Sequence, residues 1–203
     1  AEEKGKNLAG QSTVKSVGTT SVWPDKVLEI KPVGSDDAEI VWEWSFWDHT
    51  IQDIDETKDN FGNISEHPEL LDINFSNEQD WLHCNSIDYN HILDQIALSC
   101  KNSNEIYIID HSTTIEEARG NTGGNSGMGG DILYRYGNPQ IYDRGNSSDQ
   151  LLFGQHDARW IEEGYLDSGK LMIFNNGNGR NTSYSSIDVI SLPVNGSNYF
   201  IDD

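Results

Sequence analysis

Short strand-like segments that recur along the chain constrain its fold more than any other feature of the sequence. Two of these segments begin near a histidine, with His83 in residues 80–89 and His156 in residues 154–160. Further short apolar runs, separated by turn residues, follow each histidine. Four short strands that recur at intervals of tens of residues are typical of a β-propeller. The sequence therefore predicts an all-β fold, with about three propeller blades in this chain.

The recurring segments also divide the chain. Blade ends are predicted at roughly 23–47, 80–137 and 153–203, which together form one partial propeller domain over 23–203. Residues 1–22 are polar without an apolar period, which predicts a flexible arm. The candidate strands are residues 26–30, 39–44, 82–89, 95–100, 105–110, 131–136, 155–161, 170–174, 186–192 and 199–201.

The charge of the chain limits its partners. The formal net charge is −21, with 34 acidic residues against 13 Lys and Arg. Nucleic acids and anionic membrane surfaces attract Lys and Arg, so we predict no nucleic-acid partner. No apolar run approaches the roughly 20 residues of a membrane helix, which predicts no membrane insertion. An anionic substrate could bind only where nearby Lys, Arg or His side chains outweigh the repulsion from the negative net charge of the chain.

The acidic connector after the first hairpin has some features of a calcium loop. Asp53, Asp55, Thr57 and Asp59 fall at alternate positions. However, Lys58 stands where such loops need glycine, and no Glu closes the loop at its twelfth position. We therefore predict a solvated acidic loop and no metal site.

The first histidine stretch predicts a site for an anion. Strand alternation places His83 and Asn85 on one face, and the inferred hairpin register places Lys101 opposite His83. These three side chains would offer an imidazole, an amide donor and a fixed positive charge to a bound anion. We call the three residues the anion cradle. Cys84 would then face Cys100 on the other side, either in a disulfide or as a reduced pair.

The second histidine stretch supplies a candidate catalytic group. Innermost propeller strands line the central channel, so His156 is expected to converge with His83. An imidazole there could act as a nucleophile or as a general acid or base. Arg180, in a turn rich in Asn and Gly, is a further candidate cation. Each residue also has a structural interpretation, because a strand histidine can simply support the fold and Arg180 can pair with an acidic neighbour.

Several further motifs lie at residues 41–49, 80–89, 94–101, 155–157 and 174–178. Together these motifs resemble the arylsulfotransferase family of bacterial propeller proteins. The resemblance covers most of residues 24–194.

The resemblance implies a six-bladed, periplasmic or secreted enzyme without a cofactor. Such an enzyme moves a sulfuryl group from a small phenolic sulfate donor to a phenol acceptor through a sulfated histidine. By motif, His156 corresponds to that nucleophile, and His83 and Asn85 correspond to residues that bind sulfate oxygens. Lys101 falls where the family usually has Arg, so the charge is kept and the bidentate fork is lost.

About three blades would leave open sheet edges and half a core. We therefore expect further blades, from the same protein or from another chain, and we favour a sequence that is part of a longer protein. Two other functions are open. One is a non-catalytic secreted β-propeller that serves as a binding or structural module. The other is a carbohydrate-active propeller such as a lyase, for which Asp157 and Tyr89 would be the candidate groups.

Overall fold

The computed structural model describes residues 22–76 and 78–199. Within these residues the secondary structure consists of β-strands and short 3-10 helices, which confirms the predicted all-β class. The arm predicted for residues 1–22 lies outside the described residues, except for Val22. No helix in the described part of the chain is long and apolar enough to cross a membrane.

The strands lie where the sequence predicts them, and each candidate strand overlaps an observed one. The last candidate is described only as far as Tyr199. The strands are β1 (Lys26–Val33), β2 (Asp37–Ser45), β3 (Thr50–Ile51), β4 (Leu71–Asp72), β5 (Cys84–Asn90), β6 (Gln95–Cys100), β7 (Glu105–Asp110), β8 (Tyr134–Tyr136), β9 (His156–Trp160), β10 (Leu171–Asn175), β11 (Ser186–Ile190), β12 (Val194–Asn195) and β13 (Asn198–Tyr199). The 3-10 helices are Phe46–Asp48, Ile64–Glu66, Glu117–Arg119 and Pro139–Tyr142.

The first antiparallel sheet is the hairpin of β1 and β2, with Val27 opposite Trp44. Alternation along β2 buries Trp42 and Trp44 on one face, as expected for a strand that has one side against a core. The hairpin ends at Ser45, whose hydroxyl accepts a hydrogen bond from the Trp47 amide and caps the following 3-10 helix.

The central sheet has the antiparallel order β5-β6-β7-β8. Every residue of β6 and β7 is buried, because both faces of this sheet are covered. One face, which includes Leu98, belongs to the same core cluster as Trp44 of the first hairpin. The other face, which includes Ala97 and Ile108, packs with Trp160 of β9. The central sheet therefore lies between the first hairpin and the sheet that contains β9.

The third antiparallel sheet has the order β11-β10-β9. Leu171 and Ile173 of β10 are fully buried, whereas Phe174 and Ile187 are exposed on the opposite face. Short additional sheets are formed by the parallel pair β3-β4 and by the hairpin β12-β13.

The long connection between β7 and β8 packs against the first hairpin. The Trp44 Nε1 donates to the Gly130 carbonyl at 2.7 Å. A Cβ at Gly130 would lie 2.1 Å from the Ala118 carbonyl oxygen, so this close approach requires glycine. The buried His49 fixes the same contact, because its ring nitrogens lie 2.9 Å from Asp131 Oδ1 and from the Ala118 carbonyl oxygen.

Candidate active site

The hairpin of β5 and β6 has the register that the sequence predicts. Cys84 lies opposite Cys100, and the Lys101 amide donates to the His83 carbonyl at 3.1 Å. The two cysteines form a disulfide, which settles the alternative that the sequence left open. This bond fixes the start of β5 to the end of β6, where the predicted anion cradle lies.

His83 does not follow the strand alternation that placed it in the cradle. The strand begins one residue later, at Cys84, and His83 has a left-handed backbone with φ of 51°. The His83 Nδ1 is hydrogen bonded to the carboxylate of Asp80, and both side chains are about two-fifths exposed. The carboxylate is an acceptor, so the ring carries a proton at Nδ1 and turns Nε2 away from Asp80.

Asn85 lies at a β-bulge, since the pairing register shifts between Cys84 and Ser86. A bulge turns one side chain out of the regular alternation. The Asn85 Nδ2 donates to the Gln155 carbonyl at 2.9 Å, and its Oδ1 is buried without a partner among the described residues. Asn85 therefore reaches the residue immediately before His156.

Two more side chains of β5 bind the backbone of β9. The Ser86 hydroxyl accepts from the Ala158 amide at 3.0 Å, and the Asp88 carboxylate accepts from the Trp160 amide at 2.6 Å. With the Asn85 contact, these bonds run in the same order along both strands. β5 and β9 therefore lie side by side in the same direction, with His83 and His156 at their beginnings.

His156 is the first residue of β9 and is half-buried. The backbone near it departs from a regular strand, because Gly154, two residues before it, has φ of 64° and Asp157, directly after it, has φ of 54°. The His156 Nδ1 lies 2.7 Å from Asn176 Nδ2 and 3.1 Å from the Gly154 carbonyl oxygen. Sequence reasoning gave Asn176 no role, although it lies two positions beyond Phe174, which pairs with His156.

The two predicted cations differ in their surroundings. Lys101 is half-buried, and its ammonium group makes no ion pair with any described residue. The Arg180 guanidinium donates to the Tyr184 carbonyl at 3.2 Å and to the Ser186 hydroxyl at 3.1 Å. It also lies 3.7 Å from an Asp188 carboxylate oxygen. Arg180 is thus held within its own hairpin, whereas Lys101 has no comparable ion pair among the described residues.

Two carboxylates beside His83 are absent from the predicted site. One is Asp80; the other is Asp25, whose Oδ2 accepts from the Cys84 amide at 3.2 Å. Burial raises the pKa of Asp25, and the nearby Asp80 adds to this, while the bond from Cys84 and the charge of His83 oppose it. The position of Asp80, three residues before His83, could have indicated the first carboxylate. Nothing in the sequence links Asp25 to this strand.

Two clefts border β5. A cleft of about 390 Å³ between β1 and β5 is lined by Asp25 and Asn85, among other residues. A larger cleft of about 620 Å³ lies at the far ends of β5 and β9, where His91, Arg159 and Trp160 line it. Of the cradle residues, Asn85 lines the smaller cleft, whereas His83 and Lys101 line neither. The larger cleft includes Tyr89, a candidate group of the lyase alternative.

The acidic connector makes its own internal contacts. The Asp55 Oδ1 accepts from the Thr57 amide at 3.0 Å and from the Thr57 hydroxyl at 2.7 Å. In the part of the chain that the structure describes, no three His, Cys, Asp or Glu side chains come together as they would around a metal ion.

Comparison with known proteins identifies the family. A search of curated proteins and a search of solved structures gave no significant match. A family model described as Arylsulfotransferase (ASST) matches residues 3–202, which is nearly the whole chain. The resemblance seen in the motifs is thereby confirmed, and the chain belongs to the arylsulfotransferase family.

Proposed function

We propose that this protein is an aryl-sulfate sulfotransferase that transfers a sulfuryl group from a phenolic sulfate ester to a phenol. The family acts on aryl sulfate and phenol substrates. One observation carries the proposal for this chain: Asn85 donates to the Gln155 carbonyl at 2.9 Å. This bond joins the strand start that bears His83 to the strand start that bears His156.

In the proposed reaction the His156 Nε2 attacks the sulfur of the donor. A nitrogen–sulfur bond forms while the sulfur–oxygen bond to the ring breaks, and the electron pair leaves with the phenolate oxygen. The acceptor phenol then loses its hydroxyl proton, which balances the phenolate released in the first step, and its oxygen attacks the same sulfur. The nitrogen–sulfur bond breaks and its electron pair returns to Nε2 of His156. The anion cradle of His83, Asn85 and Lys101 would neutralise charge on the sulfuryl oxygens in both steps.

The proposal includes a propeller architecture. The three antiparallel sheets would be blades, with β5 and β9 as innermost strands and further blades completing a ring. The parallel contact of β5 with β9 supports this arrangement, since innermost strands of successive blades run in the same direction.

A periplasmic or secreted location is also part of the proposal. The Cys84–Cys100 disulfide supports it, because disulfides form and persist in oxidising compartments.

A chromogenic aryl sulfate tests the reaction in the full-length protein. We expect His156→Ala to abolish turnover, since no other group would accept the sulfuryl group. His91→Ala is the matched control, because His91 is an exposed histidine in the hairpin turn after β5, and it should keep wild-type activity. Unchanged turnover in His156→Ala would show that the assignment is wrong.

A second candidate function is a non-catalytic binding or structural module that keeps the fold. The carboxylates of Asp25 and Asp80 beside His83 favour it, because they oppose a sulfate anion in the cradle. An aryl sulfate that is mixed with the full-length wild-type protein and releases no phenol would support this alternative.

A further inference from the structure

Asn176 lies directly against the proposed nucleophile. Its Nδ2 is 2.7 Å from the His156 Nδ1 and is also hydrogen bonded to the Gly154 carbonyl oxygen. The Gly154 oxygen in turn lies 3.1 Å from the same ring nitrogen. The Asn176 backbone is held in place because its carbonyl accepts from the Ser185 hydroxyl at 3.0 Å. Two polar groups, the Asn176 amide and the Gly154 carbonyl, therefore meet at one nitrogen of His156.

The donors and acceptors in this group follow from the Gly154 carbonyl. A carbonyl oxygen can only accept, so the Asn176 amide atom that faces it must be the nitrogen. The second hydrogen of that nitrogen is available to His156 Nδ1, which then acts as the acceptor. A neutral imidazole that accepts at Nδ1 carries its proton at Nε2.

This tautomer conflicts with attack through Nε2. Attack needs a lone pair on Nε2, and the sulfated ring keeps its proton on Nδ1. That proton needs an acceptor, and the Gly154 carbonyl is within hydrogen-bond distance at 3.1 Å. In the arrangement seen here, however, the same carbonyl receives the Asn176 amide.

We propose that Asn176 is a positioning residue that sets the tautomer of His156. While the Asn176 amide donates to Gly154 and to the ring, the proton stays on Nε2 and His156 cannot attack. When the amide withdraws, water takes the Nε2 proton and returns a proton to Nδ1, so that Nδ1–H donates to the Gly154 carbonyl and Nε2 presents its lone pair to sulfur. A nitrogen–sulfur bond then forms as the sulfur–oxygen bond breaks; the electron pair of the broken bond leaves with the phenolate, and the Nδ1 proton stays on the ring. The catalytic meaning of this device rests on the proposed function, whereas the tautomer itself does not.

Nitrogen NMR of the full-length protein with ¹⁵N-labelled histidine tests the proposal. His156→Gln identifies the two ring signals of His156. At a pH where the ring is neutral, we expect the wild-type proton on Nε2. Asn176→Leu has a similar size and no donor, so the proton should shift to Nδ1. Asn176→Asp should shift it likewise, because a carboxylate accepts from Nδ1–H, and this second variant serves if the first fails to fold.

The matched control is Asn181→Leu, at an exposed asparagine beyond the same turn, which should leave the wild-type tautomer unchanged. A wild-type proton on Nδ1, or a proton that stays on Nε2 in both Asn176 variants, would overturn the proposal. Failure of the proposed function has a different signature. In that case an aryl sulfate leaves His156 unsulfated in every variant, whatever the tautomer.

Discussion

At the scale of single residues, carboxylates control the charge around His83. Asp80 binds the His83 ring, and Asp25 binds the Cys84 amide one residue later. Both carboxylates oppose an anion, whereas Lys101 and the imidazole attract one. In the proposed site, the balance among these groups would decide whether a sulfate ester binds.

Asp25 should make stability fall as the pH rises. Burial raises the pKa of Asp25 above the ordinary value of 3.8. Its contribution to the free energy of unfolding is therefore fully present below pH 3.8 and is lost as the pH rises through the folded-state pKa. Asp25→Asn keeps an oxygen for the Cys84 amide and removes the charge. Urea unfolding measured at a series of pH values should therefore show that the variant is more stable than wild type at pH values above the folded-state pKa of Asp25.

Asp55→Asn is the control with the opposite sign. Hydrogen bonds from Thr57 lower the pKa of Asp55, so its contribution is present at neutral pH and is lost as the pH falls. The account of Asp25 is wrong if Asp25→Asn shows the same difference from wild type at every pH.

Lys101 should control the rate of sulfuryl transfer. Removing one preorganised donor that faces developing charge typically costs about 10²–10³-fold in kcat, and we expect this range for Lys101→Ala. Lys101→Arg should keep the activity or increase it, because the guanidinium adds a bidentate fork. Steady-state kinetics with an aryl sulfate provides the measurement. If Lys101→Ala kept the wild-type kcat, Lys101 would have no role in the anion cradle.

The sequence predicts the pairing of β5 with β6 better than the local geometry around it. Alternation and turn position correctly placed His83 opposite Lys101 and Cys84 opposite Cys100. They could not reveal the left-handed backbone of His83 or the bulge at Asn85, because a period of two assumes a regular strand. The sequence predicts the Asn- and Gly-rich turn after β10, but the contact of Asn176 with His156 depends on the conformation of that turn, which no local pattern specifies.

At the scale of elements, a buried ion pair joins β7 to β8. Glu105 and Arg135 are almost fully buried and form a bidentate pair. Arg135 also donates to the carbonyls of Pro68 and Leu70, and its guanidinium lies 4.1 Å from the centre of the Tyr142 ring. This pair therefore ties the acidic connector to the outer edge of the central sheet.

Breaking this pair from one side should destabilise the fold strongly. Arg135→Met leaves Glu105 buried and uncompensated, for which we expect a loss of about 3–5 kcal/mol in the free energy of unfolding. Adding Glu105→Gln should recover part of the loss, because it removes the unpaired charge. Arg159→Met, in the exposed pair with Asp157, is the control and should change little. Equal losses for Arg135→Met and Arg159→Met in urea unfolding would contradict this account.

At the scale of the whole molecule, neighbouring sheets are joined both by apolar packing and by side chains that bind a neighbouring backbone. The side chains of Ser86 and Asp88 in β5 accept hydrogen bonds from the amides of Ala158 and Trp160. These amides lie on the edge of β9 that faces away from β10. The sequence predicted the strands and their grouping from turn residues and apolar alternation. It did not predict these contacts between sheets, because Ser86 and Asp88 have the sequence pattern of polar residues on the solvent face of a half-exposed strand.

The bond from the Trp160 amide to Asp88 should be measurable by hydrogen exchange. Asp88→Ala removes the acceptor of this amide, and we expect faster exchange at Trp160 together with a loss of about 1–3 kcal/mol in stability. Asp53→Ala, at an exposed acidic residue of the connector, should change neither quantity. Unaltered exchange at Trp160 in Asp88→Ala would mean that β9 is held to β5 by other contacts.

The sulfated intermediate offers the most direct test of the proposed mechanism. The full-length protein would be mixed with an aryl sulfate in the absence of acceptor, quenched, digested and examined by peptide mass spectrometry. The proposed mechanism predicts one added sulfuryl group on His156, which disappears when a phenol is supplied before the quench. A sulfuryl group on another residue, or turnover without any modified His156, would contradict it.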